Sequence, residues 1–231
     1  TSLMPITCVT LDLDDTLWDC APVIKGAEDR FHEWLDRTYP AIGEHYDRDA
    51  LVAHRHDSYR LHPEMLHDFT YLRKKWLERL GQEFGHGDQL VGAGFDVFWR
   101  ARNAVELYDQ VPEVLAALHA RYHVGALTNG NADVHHIGIG HWFHFVVNAA
   151  DAGSLKPAPE MFNVALLQAG VSPNEAVHVG DDPVNDVEGA ATVGMKTVWV
   201  NATGASWSGD GVVPDAEIKH VSELAEVLQR L

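Results

Sequence analysis

Ile6-Thr7-Cys8-Val9-Thr10-Leu11, followed at once by Asp12-Leu13-Asp14-Asp15-Thr16, decides how the chain is read. The first six residues are apolar or β-branched and end in an acid, which predicts a buried strand. Side chains two apart in an extended chain point the same way, so Asp12 and Asp14 share one side at the strand's C-terminal end. In open α/β sheets ligands bind outside those ends. Two carboxylates held together repel each other and demand a cation or a shared proton. Asp is also a common turn residue, so this stretch taken alone also reads as a polar turn.

Working outward, residues 123–128, 143–148, 176–179 and 196–200 repeat the short apolar pattern. Helical spacing lies between them. Val114, Leu115 and Leu118 mark 111–120, and Met161, Val164, Ala165 and Leu167 mark 160–169. Val187, Ala190 and Ala191 mark 185–193. Pro159 and Gly170 suit the two ends of the second of these helices. A last amphipathic helix covers 221–231. Strands alternating with helices predict an α/β core, a Rossmann-like doubly wound parallel sheet covered on both faces. Residues 19–107 break the rhythm, with helical patterns at 22–38, 48–61, 64–81 and 89–102 and no strand. The expected organisation is a catalytic core from 1–18 and 108–231, with 19–107 inserted as a helical cap. Residues 201–214, rich in Gly, Ser and Ala, read as an exposed loop.

Composition sets outer limits. The chain has 231 residues, 46% hydrophobic and 22% charged, which are globular proportions. Its formal charge of −17 argues against a nucleic-acid footprint and against an anionic membrane surface. An anionic ligand would need its own local positive charge. Thr1 to Met4 carry neither a basic start nor an apolar stretch, so no secretory leader is expected. Cys8 and Cys20 are too few for a disulfide framework, and a cytoplasmic setting is the expectation.

Three more strand ends carry polar groups. Thr128-Asn129-Gly130-Asn131 offers a hydroxyl, an amide and backbone N–H groups that can hold a phosphate oxygen, though Asn-Gly alone is a plain turn signal. Lys156, before Pro157, is the positive charge an anionic ligand needs; a lone Lys is otherwise a solvated surface charge. Gly180-Asp181-Asp182, with Asn185-Asp186, gathers more acid, and Asp181 or Asp182 also reads as a helix cap. Hard oxygen ligands with room for waters and phosphate suit Mg²⁺. One crevice would gather all four groups, and together they are the parts of metal-assisted phosphoryl transfer.

Taken together, Asp12-Leu13-Asp14-Asp15-Thr16-Leu17, Thr128-Asn129, Lys156-Pro157 and Gly180-Asp181-Asp182 with Asp186 resemble, in order and spacing, the four motifs of haloacid dehalogenase superfamily phosphatases. The helical insert is similar to the cap of that family's first cap class. Leu13 to Asp19, Pro22-Val23-Ile24 and His67-Asp68-Phe69-Thr70 also resemble the branch that dephosphorylates flavin mononucleotide and a ribitylaminouracil phosphate. The resemblance implies that Asp12 attacks phosphorus and that Asp14 is the acid, then the base. It implies Mg²⁺ on Asp12, the Asp14 carbonyl and Asp181. It implies that Thr128, Asn129 and Lys156 hold the phosphate, and that Asp186 and Asp182 orient Lys156 and the metal waters from behind. Family members that cleave carbon–halogen bonds lack an acid at the position of Asp14, because halide leaves without a proton.

The insert would then serve as a lid that excludes water during attack and admits it afterwards, hinged near Asp19-Cys20 and 103–109. Trp18 reads as a stacking platform or a packing residue. Arg60, Arg73, Lys74 and Lys75 are candidate substrate contacts on a helix face that is otherwise simply solvated. His54/His56 and His135/His136 lack companion ligands at a metal spacing. The partner is a small phosphorylated metabolite. A sugar phosphomutase and a phospho-accepting or binding protein without turnover are the competing readings.

Overall fold

The computed structural model describes residues 5–209 and 211–231. The expectation of no leader rests on Thr1 to Met4 and lies outside them, as does Asp210 of the 201–214 loop. Six parallel strands form one sheet: β1 (Cys8–Leu11), β2 (His123–Thr128), β3 (Phe145–Asn148), β4 (Ala176–Gly180), β5 (Lys196–Val200) and β6 (Ala216–Ile218). Their order is β3-β2-β1-β4-β5-β6. The chain leaves β1 in both directions across the sheet, so the carboxyl ends of β2 and β4 flank that of β1. That is the switch point at which open α/β sheets place ligands. Every residue of β1 is buried, as a strand covered on both faces must be.

The chain divides into two compact units. One runs up to Asp19 and resumes over Glu106–Leu231; the other is Cys20–Val105. The second unit is all helical: α1 (Cys20–Thr38), α2 (Pro40–His45), α3 (Arg48–Tyr59), α4 (Phe69–Glu83) and α5 (Gln89–Arg102). Phe31, Leu35, Trp76, Leu77, Leu80 and Phe98 form its core. Burying side chains of this size stabilises by roughly 1.5–3 kcal/mol each. The first unit adds α6 (Val111–His119), α7 (Val134–Ile137), α8 (Ala149–Ala152), α9 (Glu160–Ala169), α10 (Gly189–Thr192) and α11 (Leu224–Leu228). Helix α9 buries Met161, Phe162, Ala165 and Leu166 against the sheet. It stops at Gly170, whose φ of 67° suits a residue without Cβ.

Several element bounds differ from the sequence reading. Strand β1 begins at Cys8 rather than Ile6, and β3 at Phe145 rather than Phe143. The 64–81 pattern resolves into a single 3₁₀ turn, Pro63–Met65, followed by α4. Asp68 starts that helix by accepting the Tyr71 N–H at 2.8 Å. The 185–193 helix begins at Pro183 as a wide π-type turn before α10, and 221–231 shortens to a 3₁₀ turn and α11. Strand β6 and helices α2, α7 and α8 span three to six residues, too few for a periodic signal. Among the described residues, no helix is long and apolar enough to cross a membrane.

Candidate active site

Asp12 stands at the end of β1, its backbone N–H bonded to the Val179 carbonyl of β4 at 2.9 Å. The residue is 8% exposed, and its carboxylate Oδ1 accepts from Lys156 Nζ at 2.7 Å. Lys156 Nζ also donates to Asp186 Oδ1 at 2.6 Å and to the Leu127 carbonyl at 2.9 Å, so all three ammonium protons are committed. The loop carrying Lys156 is clamped by Asn129. The Asn129 Oδ1 accepts the Lys156 N–H at 2.7 Å and its Nδ2 donates to the Lys156 carbonyl at 3.0 Å. Thr128 Oγ1 accepts from the Gly130 N–H at 3.0 Å. Burial works against the lysine's charge, but Asp12 and Asp186 outweigh it and hold the ammonium above its ordinary value. Burial likewise opposes ionisation of Asp186, yet Lys156 and His178 keep it well below the usual carboxylate range. Asp12 is pushed up by burial, against the pull of Lys156 and with the push of Asp186 and Asp181.

The end of β4 supplies the second acidic group. A Cβ at Gly180 would overlap the Asp186 carboxyl, so only glycine lets that side chain tuck under the strand end. Carboxylate oxygens of Asp12, Asp181 and Asp186 lie within 4.8 Å of one another, and no other group of metal-ligating side chains was found among the described residues. Thr16 Oγ1 donates to Asp181 Oδ1 at 3.3 Å, and the Trp199 indole N–H donates to the Asp181 carbonyl at 2.8 Å. Burial first, then repulsion from Asp186 and Asp15, raises the Asp181 pKa to about 7. That is the state of a carboxylate cluster that wants a cation. The Asp182 carboxylate accepts the Val184 and Asn185 N–H groups, so it caps the turn that follows. Its backbone N–H, rather than its side chain, reaches Asp186 Oδ2, at 3.0 Å.

All eight residues singled out from the sequence (Asp12, Asp14, Thr128, Asn129, Lys156, Asp181, Asp182 and Asp186) line one cavity of about 150 Å³. Asp15, Gly130 and Asn185 line it too. Asp15 has φ 62° and Asn185 follows a capping Asp, and neither feature carries a periodic signal. Trp18 is fully buried and its indole N–H donates to Asp14 Oδ1 at 2.9 Å, which corrects the stacking reading.

Arg73 is not on a solvated face: it is 3% exposed, bonds Glu28 at 2.8 and 3.1 Å, and lies 3.5 Å from the Phe98 ring centroid. Arg60 pairs with Asp57, Lys75 with Glu78, and Lys74 sits over the Phe95 ring. His54 accepts from Trp76 at Nδ1 and meets Glu83 at Nε2, while His135 and His136 donate their backbone N–H groups to Asp133.

The model for haloacid dehalogenase-like hydrolases matches residues 6–194. The chain belongs to the haloacid dehalogenase-like hydrolases. Among other members, it is 30% identical over 231 residues to the 5-amino-6-(5-phospho-D-ribitylamino)uracil phosphatase YigB of Escherichia coli, covering 96% of each chain. It is 35% identical over 223 residues to the phosphoserine phosphatase of Thermus thermophilus, covering 83% of this chain and 87% of that one. The crystal structure of 2-haloacid dehalogenase from Pseudomonas syringae superposes with a TM-score of 0.92 at 39% identity, over 97% of this chain and 99% of the other. Both of these curated relatives are named as phosphatases, whereas the Pseudomonas syringae protein is named as a dehalogenase.

Proposed function

We propose that the chain hydrolyses a small phosphorylated metabolite through a phosphoaspartate at Asp12, with Mg²⁺ as cofactor. The observation that carries this is a second carboxylate, Asp14, lining the same cavity as Asp12 while Lys156 is fixed against Asp12. An Asp12 oxygen attacks phosphorus, the bond to the ester oxygen breaks, and Asp14 gives that oxygen its proton. Asp14, now a carboxylate, takes a proton from water as the water attacks the same phosphorus, and Asp12 leaves as carboxylate. Thr128 and the Asn129 backbone hold phosphoryl oxygens, and Lys156 offsets charge on Asp12 and on the phosphate. Asp182 and Asp186 orient Lys156 and the metal's surroundings from behind.

The donor set fits Mg²⁺. Asp12 and Asp181 are hard oxygen ligands, and the Asp14 carbonyl completes the group named by the family likeness. Asp186 belongs to the same cluster, but its oxygens are already taken by Lys156, His178 and the Asp182 N–H, which suits a supporting place. The metal when bound neutralises charge on the phosphoryl oxygens. The ribitylaminouracil phosphate named for YigB, or flavin mononucleotide, is the substrate we favour, on the likeness to that relative and the His67-Asp68-Phe69-Thr70 stretch.

The likeness to the Pseudomonas syringae structure favours a second reading, displacement of halide from a haloacid. Asp14 weighs against it, because a departing halide needs no proton. Purified protein assayed with Mg²⁺ against p-nitrophenyl phosphate, flavin mononucleotide, nucleotides, sugar phosphates and phosphoserine tests the proposal. Phosphate release that stops with a chelator and falls at least ~10³-fold in Asp12→Asn is expected. Full activity in that variant would remove Asp12 as nucleophile.

A further inference from the structure

A histidine lies behind the lysine and takes no part in the scheme above. His178 is on β4, two residues before Gly180, and Thr10 is on β1, two residues before Asp12. The parallel register sets Thr10 opposite His178, so their side chains project to one face of the sheet. Both are 1% exposed. His178 Nδ1 lies 2.8 Å from Thr10 Oγ1, and its Nε2 lies 3.1 Å from Asp186 Oδ1, the oxygen that also accepts from Lys156 at 2.6 Å. The Phe162 ring of α9 stands edge-on to the imidazole, with centroids 5.2 Å apart. An unbroken chain therefore runs Thr10–His178–Asp186–Lys156–Asp12, all of it buried. A carboxylate side chain accepts but does not donate, so the proton in the His178–Asp186 bond belongs to Nε2. That leaves Nδ1 of the neutral ring to accept the Thr10 hydroxyl at 2.8 Å, the shorter of that hydroxyl's two contacts, the Val177 carbonyl lying at 3.4 Å.

We propose that His178 is a positioning residue for phosphoryl transfer: its Nε2–H, with the ring oriented by Thr10, fixes Asp186 so that Lys156 keeps its charge against Asp12. The inference rests on the function proposed above. Asp186 Oδ1 is the one acceptor shared by His178 and Lys156. Without the imidazole donor, Oδ1 keeps Lys156 alone and the Asp182 N–H holds only Oδ2, so one of the three acceptors of Lys156 is less firmly fixed. Thr128 and the Asn129 backbone hold phosphoryl oxygens outside this chain, and Lys156 keeps its Asp12 and Leu127 acceptors, so the loss falls mainly on kcat rather than on KM.

The test is steady-state hydrolysis of p-nitrophenyl phosphate with Mg²⁺, alongside melting temperature, for His178→Leu, His178→Gln, Thr10→Val and Thr10→Ser. Glutamine keeps an N–H near the place of Nε2; leucine keeps bulk without a donor. His178→Leu is expected to lose about 10-fold or more in kcat with KM within about 2-fold, and His178→Gln to recover most of the loss. Thr10→Val is expected to fall in kcat and Thr10→Ser to match the wild type. A folded His178→Leu with wild-type kcat overturns the inference. So does a His178→Gln as slow as the leucine variant, because the role would then be packing. If His178→Leu does not fold, the threonine pair decides, and a Thr10→Val equal to wild type overturns it. A wild-type protein without Mg²⁺-dependent phosphate release defeats the proposed function itself; an active wild type with unaffected variants defeats only this inference.

Discussion

Lys156 is the residue on which the charges of the site balance. Three acceptors hold its ammonium, and two of them are buried carboxylates. Removing one member of a buried ion cluster leaves charge without a partner and costs ~3–5 kcal/mol. Lys156→Met is therefore expected to lower the midpoint of denaturant unfolding by a corresponding amount and to cut kcat on the order of 10²-fold. Unfolding curves and steady-state kinetics check both. Asp181 carries a second expectation. Its pKa of about 7 without metal means that protons compete with a cation below that pH. Above it, the carboxylate is ionised and repelled by Asp186 and Asp15, and a cation relieves that cost. The rise in melting temperature on adding Mg²⁺ should be larger at pH 8 than at pH 6; an equal rise at both would contradict the assignment. The sequence made Asp12 and Asp181 readable as partners because each directly follows a strand, and neighbouring strand ends of a parallel sheet meet; Lys156 lies beyond β3 and α8 and is brought in by the Asn129 clamp. It could not disclose Trp18 bonding to Asp14 or His178 bonding to Asp186. Those pairings depend on rotamers and on cross-strand register rather than on spacing.

At the level of elements, the strands and long helices were legible because burial imposes a period on them. Helix α5 and strands β2 and β5 begin and end where the pattern does. Short elements held by a cap or an edge pairing were not, since three to six residues carry no clear period. The helical unit shows the same limit in its chemistry. Arg73 reads as an exposed cation in a row of basic residues, but α1 brings Glu28 to it, and Phe98 of α5 covers its guanidinium. Burial would raise Glu28, but the bonds and charge of Arg73, joined by Arg55, outweigh it and hold the carboxyl below its usual range. A depressed folded-state value gives stability above the unfolded value of about 4.3, lost as pH falls through the folded one. Glu28→Ala should cost ~3 kcal/mol near pH 7. The melting temperature of the wild type should fall more steeply than that of the variant between pH 5 and pH 3. Parallel pH profiles for the two proteins would remove the pair as a source of stability.

For the whole molecule, a chain of formal charge −17 buries one lysine, Lys156, in its acidic cluster, which is the local positive charge that the proposed anionic substrate needs. The acidic ends of β1 and β4 converge there around a single lysine, in a cavity whose acids need a cation. That arrangement follows from the strand order, in which β1 lies between β2 and β4, so topology converts four separate stretches of sequence into one site. The choice between phosphoryl transfer and halide displacement is the point at which the relatives divide, and Asp14 is the group that separates the two chemistries. The decisive measurement follows phosphate release from p-nitrophenyl phosphate and chloride release from 2-chloropropionate by the same preparation, with and without a chelator, for wild type and Asp14→Asn. We predict Mg²⁺-dependent phosphate release that the variant loses, and no chloride. Chloride release that survives the chelator and the Asp14→Asn change, without phosphate release, would contradict the account.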